Sequence, residues 1–112
     1  MATTRQNKVA RLLQRELGDI FQKQSKSLFQ GAMITVTVVR ITADLSQARV
    51  YLSLFPPHKK NEIYATVNEK GKTIRHELGK RIKNQLRIVP ELKFFIDDSL
   101  DYMENIENLL NT

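Results

Sequence analysis

Apolar residues return near the start of this chain at helical spacing. Val9, Leu12, Leu13, Leu17, Ile20 and Phe21 share one face, with Thr3 or Thr4 placed to cap it, so the pattern predicts an amphipathic helix over residues 4–23. The period then changes. Ile34 to Thr42 is nearly all β-branched, and from Ala48 onward Val50, Leu52 and Leu54 alternate with Arg49, Tyr51 and Ser53, which predicts two strands. Thr42 to Ser46 is too short for a helical crossover, so the strands are expected to pair as an antiparallel hairpin, with Asp44 and Ser46 helping the turn. Pro56-Pro57 ends the second strand, and His58 to Val67 is expected to be helical. Asn68 to Lys72, around Gly71, should interrupt that helix before a second piece runs to about Leu86.

In the second piece Ile74, Leu78, Ile82 and Leu86 mark a face suited to docking on a sheet, with Lys72, His76, Lys80, Lys83 and Arg87 opposite. Helical spacing gives way at Pro90 to an extended pattern in which Leu92, Phe94 and Ile96 point inward as a third strand. Leu100, Met103, Ile106, Leu109 and Leu110 suggest a short closing helix, capped by Asp98 or Ser99, within an acidic tail of residues 99–112. The expected fold class is α+β: a three-stranded sheet covered on one face by helices, in the order α-β-β-α-(kink)-α-β plus the C-terminal helix. Periodicity leaves the direction of the third strand open.

A length of 112 residues fits one domain, 1–112, and 41% hydrophobic with 27% charged residues is an ordinary globular balance. No apolar run approaches the ~20 residues needed to cross a bilayer, and no signal-peptide pattern opens the chain, so a soluble cytoplasmic protein without membrane contact is expected. Absence of cysteine removes disulfides, thiolate nucleophiles and cysteine-bound zinc. Charge adds more. Between Lys70 and Arg87 stand seven basic residues against one acid, Glu77, an excess equal to the net charge of +6 of the entire chain. Such a concentration favours an anionic partner, nucleic acid above all.

Candidate chemistry narrows the field. His58 and His76, the two histidines, have no triad or metal-ligand spacing. Asp97, Asp98 and Asp101 lack the glycine turn and closing glutamate of a calcium loop, so helix capping is the expected role. No Walker-type loop is present, and Gly79 inside a helix suits close packing. Neither a catalytic residue, a metal site nor a cofactor is expected. Gly71, between Lys70 and Lys72, is a sharper candidate, because a glycine turn feeding a helix N-terminus offers N–H groups and a positive dipole end to a phosphate. Tyr51 and Phe95 point away from the inferred core, which by itself is commonplace for an aromatic.

Two stretches carry a family resemblance. One is Asp44-Leu45-Ser46-Gln47-Ala48-Arg49-Val50-Tyr51-Leu52-Ser53, following Ile34-Thr35-Val36-Thr37-Val38. The other is Leu86-Arg87-Ile88-Val89-Pro90-Glu91-Leu92-Lys93-Phe94, followed by Asp97-Asp98-Ser99. With Ile74 to Lys80 and the N-terminal helix, the chain resembles ribosome-binding factor A, a family of bacterial small-subunit maturation factors, over nearly its whole length. The resemblance implies a type II KH-like domain in which the usual Gly-x-x-Gly clamp is replaced by a helix kink at Ala-x-Gly. Counting back from Leu78-Gly79-Lys80 places Lys70-Gly71-Lys72 at the kink, whereas matching the glycine gives Glu69-Lys70-Gly71 with one inserted residue. The alanine is missing either way, and Gly71 is expected to supply the bend.

The resemblance also implies a non-enzymatic monomer that binds the free or immature 30S subunit near the 5′-terminal helix of 16S rRNA. Members assist late maturation and 5′ processing, matter for growth in the cold, and are released with a ribosome-assembly GTPase. The expected RNA-binding residues are Lys70, Gly71, Lys72, Arg75, Lys80, Lys83 and Arg87, helped by Lys8, Arg11 and Arg15. Contact through phosphates and shape is expected rather than base reading. Two alternatives compete: a KH-like binder of single-stranded RNA unrelated to the ribosome, and a basic module that docks an acidic protein.

Overall fold

The computed structural model describes residues 3–97, so the expected closing helix lies outside the described residues. Helix α1 spans Thr4–Leu28. Thr3 caps it: the Gln6 amide donates to Thr3 Oγ1 (3.1 Å), and the Thr3 amide donates to Gln6 Oε1 (2.9 Å). The helix runs further than expected because the apolar stripe resumes at Leu28, and Phe29 is buried beyond it with its ring 5.7 Å from that of Phe21. It ends where Gln30 and Gly31 take left-handed backbone (φ 53 and 82) and the Gly31 amide donates to the Ser25 carbonyl.

Strands β1 (Met33–Ile41) and β2 (Gln47–Phe55) form the expected antiparallel hairpin, with a bulge between Val36 and Val38. In its turn Asp44 Oδ1 accepts from the hydroxyls of Ser46 (2.7 Å) and Thr42 (2.8 Å) and from the Ser46 amide (3.1 Å). These donors, the Ser46 hydroxyl foremost, hold the Asp44 carboxyl at a pKa of about 2. A 3-10 turn, Pro57–Lys59, leads into α2 (Lys60–Glu69), and a single residue, Lys70, separates α2 from α3 (Gly71–Ile82).

The interruption is therefore real, but it differs from expectation. Lys70 carries the bend (φ −91, ψ 9), while the one glycine with positive φ among the described residues is Gly31. A Cβ on Gly71 would sit 3.9 Å from the Phe94 ring, an ordinary contact, so Gly71 marks close passage over β3 rather than a special backbone conformation. Helix α3 also stops before Leu86. The amides of Gln85 and Leu86 both turn back to the Ile82 carbonyl, and the chain enters a loop anchored by buried Pro90.

Strand β3 (Glu91–Ile96) pairs parallel to β2 in the register Gln47↔Glu91 to Leu52↔Ile96, giving the sheet order β1-β2-β3. The α2–α3 crossover returns the chain to the end of the sheet where β2 began, which makes the third strand parallel. Leu13, Leu17, Val50, Leu52, Val67, Ile74, Leu78 and Ile82 are buried in one core between the helices and a single sheet face. At the β1 edge, Gln6 Nε2 donates to the Ile41 carbonyl (3.1 Å) and Gln14 Nε2 to those of Val36 (3.3 Å) and Thr37 (3.2 Å), blunting an otherwise open edge. Among the described residues no helix is long and apolar enough to cross a membrane.

Candidate RNA interface

Because Ile74, Leu78 and Ile82 are buried against the sheet, helical geometry sends Lys72, Arg75, His76, Lys80 and Lys83 to the outside, where all five are exposed. With Gly79 and Val89 they line an open depression of about 680 Å³. Its floor exists because position 79 is glycine: a Cβ there would approach Val89 Cγ2 to 3.3 Å, so the 86–90 loop lies directly on the helix. Arg75 fastens that loop, donating through Nε to the Pro90 carbonyl (3.1 Å) and through a terminal nitrogen to the Val89 carbonyl (2.7 Å). Two of its donors are thus committed within the protein. Arg87 is exposed in the same loop.

Lys80 lies 3.5 Å from Glu77, an exposed pair that water and salt weaken. Among the described residues no ion pair holds Lys72, Lys83 or Arg87. Lys70 and Gly71, at the bend, are half-buried. The first turn of α3 has neither an acid nor a side-chain cap, so no carboxylate offsets the cations there.

Arg81 has a different role from its neighbours. It reaches Asp19 (2.5 Å) and Glu16 (3.3 Å) on α1, pinning the two helices together. The hydrogen bond from Arg81, with help from Lys23, holds the Asp19 carboxyl below its ordinary range; Asp19 in turn raises the guanidinium. One of the seven charges counted in the sequence is therefore neutralised inside the molecule, and the acids responsible lie on another element.

On α1, Arg15 is exposed and 3.6 Å from Glu16, one of the two acids that Arg81 reaches. Lys8 and Arg11 are exposed on α1, and no ion pair among the described residues joins them to α3. His58 sits exposed in the 3-10 turn and His76 on the cationic face. No group of three His, Asp or Glu among the described residues can hold a metal ion.

An α-β-β-α-α-β chain with a mixed three-stranded sheet, one helix-covered face and a kinked helix pair is a type II KH-like domain, here with a cationic outer helix. Residues 5–110 match the family model for ribosome-binding factor A, and the chain belongs to that family. It is 43% identical over 111 residues to the ribosome-binding factor A of Cytophaga hutchinsonii, covering 99% of this chain and 84% of that protein. Identity to the Flavobacterium johnsoniae factor is 45% over 111 residues, covering 98% and 85%. The fold is similar to the crystal structure of ribosome-binding factor A from Thermus thermophilus, with a TM-score of 0.68 at 21% identity over 81% of this chain and 94% of that one. A solution structure of a Thermotoga maritima relative gives 0.66 at 22% identity, covering 85% and 89%. Coordinates of the Thermus thermophilus factor fitted into a cryo-EM map of a 30S complex give 0.61 at 23% identity, covering 80% and 91%.

Proposed function

We propose that this chain, acting as one domain and as a cytoplasmic monomer, binds the free or immature 30S subunit. There it assists late maturation and 5′-end processing of 16S rRNA without catalysis of its own. The reading rests on the exposed face of α3 and its following loop, where Lys72, Lys83 and Arg87 have no internal ion pair among the described residues. Membership of the family and the 30S complex formed by the Thermus thermophilus factor support it. Lys72, Lys80, Lys83 and Arg87 contact phosphates, Lys70 adds its ammonium and Gly71 an amide donor where α3 begins, and Arg75 keeps the loop in place. Arg15 extends the contact onto α1, and Lys8 and Arg11 add to the attraction at longer range.

Such a surface recognises the shape of folded RNA. By binding one arrangement of the 5′-terminal region more tightly than others, the protein populates that arrangement, which is all that a non-catalytic maturation factor requires. Release then falls to a partner that hydrolyses nucleotide, of the ribosome-assembly GTPase class. The demand for such help should be greatest in the cold, where RNA rearrangement is slow.

Co-sedimentation with purified 30S subunits, full ribosomes and RNase-treated subunits tests the proposal. Binding to 30S subunits alone, lost on RNase treatment and weakened in a K80E/K83E/R87E variant, is expected. Undiminished binding by that variant overturns the assignment of the face, and binding that survives RNase redirects the function to a protein partner.

A further inference from the structure

The helices cover one face of the sheet and leave the other open. On that open face the strand register sets Arg40 opposite Arg49 and Arg49 opposite Lys93, three exposed cations in one row across all three strands. Like charges directly opposite one another destabilise a sheet. No ion pair among the described residues relieves them. The next row is Val38, Tyr51 and Phe95, also in register. Tyr51 and Phe95 stack with centroids 5.3 Å apart and planes at 26°, and Val38 and Phe95 are each 37% exposed. Between the rows Val38, Arg40, Arg49, Tyr51 and Asp97 line an open depression of about 440 Å³. Two acids border this surface. Asp97 accepts a hydrogen bond from Thr37 Oγ1 (2.5 Å), and Glu91 lies beyond Lys93, opposite Gln47.

We propose that this open face is a second RNA site, separate from the α3 face, that takes unpaired nucleotides. Successive rows on one face of a strand are about 7 Å apart, within the span of one nucleotide, so a strand crossing the sheet can set phosphates on the Arg40–Arg49–Lys93 row and a base over Tyr51 and Phe95. Every base has a π-face, so binding is sequence-tolerant. The aromatic row is what favours unpaired RNA, because stacked bases in a duplex offer it nothing. With α3 on the opposite side of the sheet, the protein would hold a folded RNA element on one face and a neighbouring single strand on the other.

Anisotropy of a labelled octauridine, titrated with the full chain, tests this. Three phosphate contacts give a log–log salt slope of about −2, a roughly 20-fold loss between 50 and 200 mM salt. R40E/R49E is expected to abolish measurable binding, and Tyr51→Ala to weaken it about tenfold. K80E/K83E should show the reverse order, losing 30S binding more than octauridine binding. Because R40E/R49E alters exposed positions, an unchanged circular dichroism spectrum will show that it folds. Octauridine binding that is unaffected by R40E/R49E, or that is lost only with K80E/K83E, overturns the second site. So does an absence of octauridine binding accompanied by contacts from the acidic segment 98–112 or from a second copy onto Tyr51. The α3 face stands or falls separately, on 30S binding by the K80E/K83E variant rather than on octauridine.

Discussion

Arg81 and Lys83 stand two residues apart on one basic segment, and the structure gives them opposite consequences for binding. Four cations of the α3 face, Lys72, Lys80, Lys83 and Arg87, are exposed, and the one internal ion pair among them is the weak link from Lys80 to Glu77. If each neutralises one phosphate of duplex-like RNA, the log–log slope of 30S affinity against salt is about −3.6, a loss of about 150-fold between 50 and 200 mM. Replacing Lys72, Lys83 and Arg87 together by glutamine removes three such contacts, so the slope should become shallower by about 2.7. Arg81→Gln removes the same unit of charge per residue, yet its charge already faces Glu16 and Asp19. It should therefore leave the salt slope unchanged and instead lower resistance to urea, since α1 and α3 lose their tie. The assay is binding of the labelled protein to purified 30S subunits across that salt range at fixed magnesium, with urea unfolding of each variant alongside. An unaltered slope in the triple variant, or a reduced slope in Arg81→Gln, would refute the division between outward and inward cations.

Thr3→Ala removes the acceptor for the Gln6 amide and should cost about 1 kcal/mol in urea unfolding. Leu78→Ala, at a site with 0% exposure, should cost roughly 2–5 kcal/mol, read from the same titration. Gly71→Ala should be neutral or stabilising by up to about 1 kcal/mol, because its Cβ has room beside Phe94 and no left-handed backbone is required; clear destabilisation would show that the bend depends on glycine after all. Asp44 is held at a pKa of about 2, below the ordinary 3.8, so the stability its charged form supplies is complete above the ordinary value and disappears as the pH falls through about 2. Asp44→Asn should be less stable than the parent at pH 5, with the gap closing toward pH 2 in urea titrations at stepped pH.

Much of the fold is legible in local pattern. Period-3.6 and period-2 spacing place three helices and three strands, because burial of one face forces that spacing wherever an element meets the core. The end of α1 is masked in the sequence: six polar or small residues separate Phe21 from Leu28, and the gap conceals a stripe that continues on the same face. Glycine tolerates any backbone angle, which makes Gly71 the expected cause of the bend, but a turn of φ −91 and ψ 9 is open to lysine as well.

Sequence alone determined the kind and order of the elements through β3, the hairpin, the cationic helix face and the family, since each rests on neighbours along the chain or on a recurring local string. Tertiary structure decided the parallel direction of β3, the capture of Arg81 by Glu16 and Asp19, the fastening of Arg75 to the 86–90 loop, and the row of Arg40, Arg49 and Lys93. The physical reason is separation. A charge is available or neutralised according to what lies within a few ångströms of it, and for these residues the neighbours that matter come from other elements of the chain.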